Sequence, residues 1–212
     1  MRGNSHHSGD RPTGTDKILD KGLVLRSTQT YGVMIGIGLL ICFYFHKNLS
    51  SVFLIPEDGQ VLSQYGMLVG LGVGLIAVLH ELCRLLMPEQ YRYYRTWIGS
   101  VLGNISIPQA LYLAILSAVG EEVLFRGAIQ PYLGVLWTSL LLAFLHVTPR
   151  GLVPVWLLIS FFTNVMVGLI FQYTQSIYPG MIIFFFCSSF ALVRHSVKNK
   201  RHPNGKLNTL NK

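Results

Sequence analysis

Long apolar stretches separated by short polar breaks run through most of this chain. With about 20 apolar residues needed per bilayer crossing, the pattern places spans near 31–46, 64–87, 107–131, 134–149, 152–173 and 177–193. The expected fold is all-α, a polytopic transmembrane helical bundle of about six spans. The polar ends divide the chain into a cytoplasmic tail over 1–29, a membrane-embedded domain over 30–195 and a basic cytoplasmic tail over 196–212. The first apolar run starts at Tyr31 and lacks a small-residue cleavage site, so it reads as a retained anchor rather than a signal peptide.

Composition agrees with a membrane setting. Of the 212 residues 51% are apolar or aromatic and 12% are charged, about half the charge of a typical soluble domain. The net charge of +8 would raise the question of nucleic acid in a soluble protein. Here the basic residues cluster in the tails and between spans, with no basic stripe carrying interleaved aromatics, so no nucleic-acid partner is expected. With the N-terminus inside, 15 of the 17 Lys and Arg fall on the cytoplasmic side, as the positive-inside rule requires. Lys47 and Arg126 are the two exceptions. Both termini are expected inside an integral multi-pass protein of the cell (inner) membrane. The stretch Glu89 to Trp97, rich in Tyr and Arg, reads as an interfacial segment on the inner surface, with an ordinary connecting loop as the alternative. Cys42, Cys83 and Cys187 lie in apolar runs without C-x-x-C spacing and predict neither a disulfide framework nor a zinc site.

Charged side chains inside a span each need a reason, because each costs roughly 2.5 to 3.5 kcal/mol on insertion scales. The third span holds Glu121, Glu122 and Arg126. Glu122 and Arg126 are an i, i+4 pair that neutralises itself, whereas Glu121 has no basic residue at helical spacing. The fourth span ends on His146. Alone, such a histidine is a hydrogen-bonded structural residue as readily as a catalyst. If the two spans form a hairpin turning near Gly134, however, Glu121 and His146 both lie about 18 to 20 Å below that turn. A carboxylate and an imidazole at one level can hold a water and take its proton, which points to hydrolysis.

These residues resemble the CPBP family of intramembrane CAAX-type proteases and bacteriocin-processing enzymes. Glu121, Glu122 and Arg126 match its E-E-x-x-x-R motif within Gly120-E-E-V-L-F-R-G-A-I-Q-P-Y-Leu133, His146 matches the end of its second motif with Leu142 in place of the usual Phe, and the approach to the third motif is similar over Gly168 to Pro179. The likeness extends over about residues 107–192. It implies a protease domain in which Glu121 is the general base, His146 positions the attacking water, and Glu122 with Arg126 sets the site geometry. The implied substrate is a membrane-associated protein or peptide reached from the lipid bilayer, processed in CAAX fashion or by C-terminal sorting or peptide cleavage.

The third motif departs from the pattern. Phe184 and Ser188 stand where the family has His and Asn, residues that help stabilise the oxyanion. The literal H-x-x-x-N at His195 to Asn199 lies too deep and reads as chance. Asn164, at the depth of Glu121 and His146, and Ser188 are the candidates for oxyanion or other polar support, against the simpler roles of helix–helix hydrogen bonding and packing. No cofactor and no metal are expected. His80 could join Glu121 and His146 as a third ligand only if the second span packed on the site, and Glu81 with Arg84 reads as an interfacial ion pair. Two rival readings are a non-catalytic member of the fold acting in binding or peptide immunity, and a proton-coupled transporter, for which the inverted repeats are lacking.

Overall fold

In a bilayer, an apolar run survives only if its own backbone groups satisfy one another, so each predicted span must form a helix. The computed structural model describes residues 14–45, 53, 58–145 and 154–201, with side chains between 22 and 197. In chain order the helices are α1 (Gly14–Phe45), α2 (Gly59–Leu86), α3 (Pro88–Leu102), α4 (Ile107–Glu121), a π-helical segment (Glu122–Ile129), α5 (Gln130–Leu145), α6 (Pro154–Thr174) and α7 (Tyr178–Arg201). No strand occurs among the described residues. The fold is an all-α polytopic bundle. α1 therefore begins within the stretch read as the N-terminal tail, and α7 continues into the basic one.

Local sequence sets the helix ends. Ser106 and Gln109 form a reciprocal capping box at the start of α4, which satisfies two of the otherwise orphaned amides. Asp58 accepts from the Gln60 amide at the start of α2. Pro88 opens α3, and Gln175, with φ 53°, closes α6.

Five helical stretches are long and apolar enough to cross a membrane: Gly22–Phe45, Gly59–Leu86, Ile107–Leu145, Pro154–Thr174 and Tyr178–Val197. Six were expected, and the difference lies at Gly134. The third and fourth spans form one stretch of 39 residues, which as a straight helix would measure about 58 Å, nearly twice a hydrocarbon core of about 30 Å. Gly134, at φ 73° and ψ 173°, breaks it. Gln130 before the break and Val135 after it both lie against Gly168 of α6, so the two flanks pack on the same helix.

α6 is the axis of the bundle, with half of its span buried. Val155 and Ile159 near its start pack with Cys83 and Tyr94 of α2 and α3. Val167 and Ile170 meet Ile76 of α2 and Ile183 of α7, and Phe171 meets Val123 and Ile177. Small residues allow close approach where lipid supplies no hydrophobic drive between helices. A Cβ at Gly38 of α1 would stand 3.0 Å from the Leu124 backbone. Leu71, Val78 and Leu85 of α2 and Phe43 of α1 are exposed, the arrangement a lipid-facing surface requires.

α3, read as interfacial, is a helix that turns Arg92 and Tyr93 outward and buries Tyr94. The Tyr94 ring stacks on Trp156 of α6, centroids 4.8 Å apart, and burial pushes its phenol pKa well up.

The break at Gly134 yields a stability prediction. No heavy atom lies within 4 Å of a Cβ built there, so Gly134→Ala should lose stability through backbone strain alone, about 1 to 3 kcal/mol for a non-glycine residue in this region. Gly36→Ala, equally uncrowded but inside α1, should be neutral or stabilising by about 0.5 to 1 kcal/mol. Thermal unfolding in detergent compares the two, and equal midpoints would show that the break stores no strain.

Candidate active site

The polar residues of the third span are held on a local change of helix geometry. After Glu121 the α-helix widens into the π-helical segment Glu122–Ile129, and the Gln130 amide bonds back to the Phe125 carbonyl, five residues earlier. Such segments recur at functional sites. The reading from sequence treated this stretch as a regular α-helix, and no residue in Glu122-V-L-F-R-G-A-Ile129 is a recognised signal for the wider form.

Glu122 and Arg126 are both fully buried. Arg126 Nε stands 3.5 Å from Glu122 Oε1, the pairing expected from their spacing. One further nitrogen of the guanidinium is held from α6. This Nη2 donates to the Asn164 carbonyl oxygen at 3.0 Å and to Asn164 Oδ1 at 2.8 Å. Asn164 Nδ2 in turn donates to the Ser160 carbonyl at 2.8 Å and to Ser160 Oγ at 3.3 Å. Asn164 thus belongs to the Glu122 and Arg126 cluster, with its amide oxygen on the arginine and its amide hydrogens on Ser160. One turn further along, Gln130 Nε2 donates to the Gly168 carbonyl at 2.8 Å.

α7 closes the cluster from the other side. A Cβ at Gly180 would overlap the Glu122 carboxylate and crowd Val167, so only glycine lets the start of α7 pass over the carboxylate. Phe184, one turn below, lies under Arg126, with the guanidinium carbon 5.9 Å from the ring centroid. This aromatic, cation-facing contact occupies the place where the resemblance would put a histidine. Ser188 is half-buried a further turn along α7.

Glu121 has different surroundings. It is half-buried rather than sealed, and the Tyr31 phenol of α1 lies within hydrogen-bonding reach of it and of Ser117. Gly120 makes room for that ring, since a Cβ there would stand 2.9 Å from Tyr31 Cδ1. His146 lies outside the described residues; α5 is described to Leu145. Among the described residues no three His, Cys, Asp or Glu side chains converge as metal ligands.

Sequence reasoning missed Tyr31, Ser160, Gln130 and Gly180. Ser160 and Gln130 had a signal available, since each lies four residues from Asn164 or Arg126 and so on the same face of its helix. Tyr31 and Gly180 had none, because both reach the site from helices remote in sequence.

A membrane-embedded helical bundle with two consecutive glutamates, one sealed against an arginine and one partly open, is the class of protein defined so far. Residues 103–190, less than half of the chain, match the family described as type II CAAX prenyl endopeptidase Rce1-like. The uncharacterized protein YpbD of Bacillus subtilis (strain 168) is 30% identical over 120 residues, which cover 55% of this chain and 61% of that protein. The match thus spans less than two thirds of that relative's length. No solved structure matches the chain.

The sealed pair gives a prediction about stability. Arg126→Met should strand the Glu122 carboxylate, and breaking a buried pair costs about 3 to 5 kcal/mol. Adding Glu122→Gln should restore part of that loss. A double-mutant cycle on thermal unfolding in detergent measures the coupling, and strictly additive losses would contradict a stabilising interaction between the two.

Proposed function

We propose that this chain is a CAAX-type intramembrane endopeptidase that hydrolyses a peptide bond of a membrane-associated protein, close to its C-terminus or beside a membrane segment. Glu121 is the general base, His146 positions the attacking water, and Glu122 with Arg126 holds the helix that presents Glu121. Asn164 supports the site through Arg126, and Ser188 lines it from α7. Water gives a proton to Glu121 as its oxygen adds to the scissile carbonyl. The tetrahedral intermediate then collapses as the proton passes to the departing amine.

The observation that carries this reading is the contrast between two adjacent carboxylates. Glu122 is fully buried against Arg126 and under Gly180, while Glu121 is half-buried beside Tyr31. Only Glu121 is open to a water and a substrate. The Rce1-like match over residues 103–190 supports the reaction class, and the assignment of His146 rests on its motif.

Glu121→Gln should fold like the wild type, because it preserves shape and leaves the Glu122 and Arg126 pair untouched, and should abolish cleavage of co-expressed membrane proteins by the purified, reconstituted enzyme. Cleavage by the wild type should survive strong chelators, since the scheme uses no metal. A folded Glu121→Gln protein with full activity contradicts the mechanism, and activity lost on chelation and restored by zinc replaces it with metal-assisted hydrolysis.

The same reading places the chain in the cell membrane with both termini cytoplasmic, supported by the distribution of Lys and Arg between the two sides. Alkaline phosphatase fused after Lys47 should be active and fused after Lys200 inactive. The reverse at Lys200 would remove the six-span topology.

A further inference from the structure

A cavity of about 380 Å³ lies apart from the carboxylate cluster, between the end of α2, the amphipathic α3 and the lower half of α7. None of Glu121, Glu122, Arg126 and Asn164 lines it. One end is basic and the other aromatic. Arg95 of α3 and Arg194 of α7 supply the cations, His80 and His195 stand beside them, and Phe186 and Phe190 form the apolar end.

Among the described residues the basic end has no anion paired with it. Glu81 also lines the cavity, but it is ion-paired with Arg84. Neither Arg95 nor Arg194 forms an ion pair with a carboxylate among the described residues. His195 is engaged with the backbone, its Nε2 donating to the Gly103 carbonyl at 2.9 Å, and His80 Nδ1 lies 3.4 Å from the Tyr91 hydroxyl. Both rings are thereby fixed at the rim, and the arginines are left to meet a ligand.

The apolar end identifies the kind of ligand. Phe186, Phe190 and Arg194 succeed one another at intervals of four residues, so they form one stripe along α7, about 12 Å long. Phe186 is 55% and Phe190 70% exposed, and both lie within the membrane-crossing stretch of α7, so the aromatic part of the stripe opens toward lipid while its end is cationic. Arg95 approaches that cationic end from α3, which carries exposed Arg92 and Tyr93 in the manner of an interfacial helix. A chain that starts at the arginines and runs along the phenylalanines has an anionic head and an apolar tail.

We infer that this cavity is a binding site for an anionic phospholipid, with its phosphate between Arg95 and Arg194 and an acyl chain along Phe186 and Phe190. Basic pockets between membrane helices on the cytoplasmic side hold anionic headgroups by the same physics. A free phosphate would use the arginines and leave the aromatic stripe without a role, and a peptide carboxylate would place a polar backbone on it. The assignment stands on the cavity alone and does not depend on the proteolytic reading.

The test uses the full chain, purified and equilibrated with mixed micelles containing equal amounts of dioleoyl phosphatidylglycerol and dioleoyl phosphatidylcholine, with retained lipid read by native mass spectrometry. The wild type should retain phosphatidylglycerol preferentially. Arg95→Gln with Arg194→Gln should cut that preference by about thirtyfold, the loss expected for two basic contacts near the membrane surface. Arg92→Gln, which removes a neighbouring charge outside the cavity, should leave it intact, as should Glu121→Gln, which removes the proposed catalytic base. Ala77→Phe retains every charge but fills the cavity from α2, and should abolish retention of the lipid, so the outcome does not hang on the double variant folding. No preference in the wild type, or equal losses in Arg92→Gln and the double variant, would overturn the site. Displacement of the lipid by millimolar inorganic phosphate would assign it to a free anion instead. Displacement by a peptide with a free C-terminal carboxylate, and not by its amide, would assign it to a peptide.

Discussion

The buried pair of Glu122 and Arg126 is the constraint around which the rest of the structure is arranged. An unpaired charge in hydrocarbon is so unfavourable that both groups must find compensation within the bundle. Their mutual contact at 3.5 Å supplies part of it. Asn164 supplies more, by presenting both its backbone and side-chain oxygens to one guanidinium nitrogen, and Ser160 orients the amide. The register of α6 against the π-helical segment follows from these bonds, with Gln130 and Gly168 repeating the contact one turn on. The start of α7 is set as well, because only at Gly180 can its backbone cross the Glu122 carboxylate.

The two adjacent carboxylates differ in burial, Glu122 being sealed inside the bundle and Glu121 half-buried. Consecutive residues on a helix point about 100° apart, so Glu122 turns toward α6 and α7 while Glu121 turns toward Tyr31 of α1. The widened backbone begins between them. A buried ion pair thus stands beside a half-buried glutamate that has Tyr31 as a neighbour. The Phe184 ring beneath Arg126 belongs to the ion-pair side of this division, since it packs on the cation and offers no hydrogen bond to a reacting oxygen.

The bundle also has two ends of different character. Where α6 meets α7, at Gln175 to Ile177, the connection is tight and Ser176, Ile177 and Pro179 are buried. At the opposite end α3 lies across α2 and α6, with Tyr94 stacked on Trp156, and His195 binds the Gly103 carbonyl just beyond α3. Between α3 and α7 lies the cavity lined by Arg95 and Arg194, where the proposed lipid phosphate would meet both charges.

The sequence by itself determined that the chain is a helical membrane protein, because apolar runs of bilayer length have no other stable form in lipid. It also determined which charges matter: Glu121, Glu122 and Arg126 stand out since polar groups are so costly there, and the spacing of Glu122 and Arg126 announced their pairing. The turn near Gly134 was legible as the hairpin between the third and fourth spans, whereas the caps at Ser106 and Pro88 emerged with the structure. Only the tertiary structure decided that Asn164 belongs to Arg126, that Tyr31 attends Glu121, that Gly180 clears Glu122 and that the third span widens into a π-helix. These are contacts and strains between helices far apart in sequence. Periodicity reports which face of a helix is apolar, but in a membrane nearly every face is, so the partner of each face is chosen by the packing of small residues and buried polar groups that no single segment encodes.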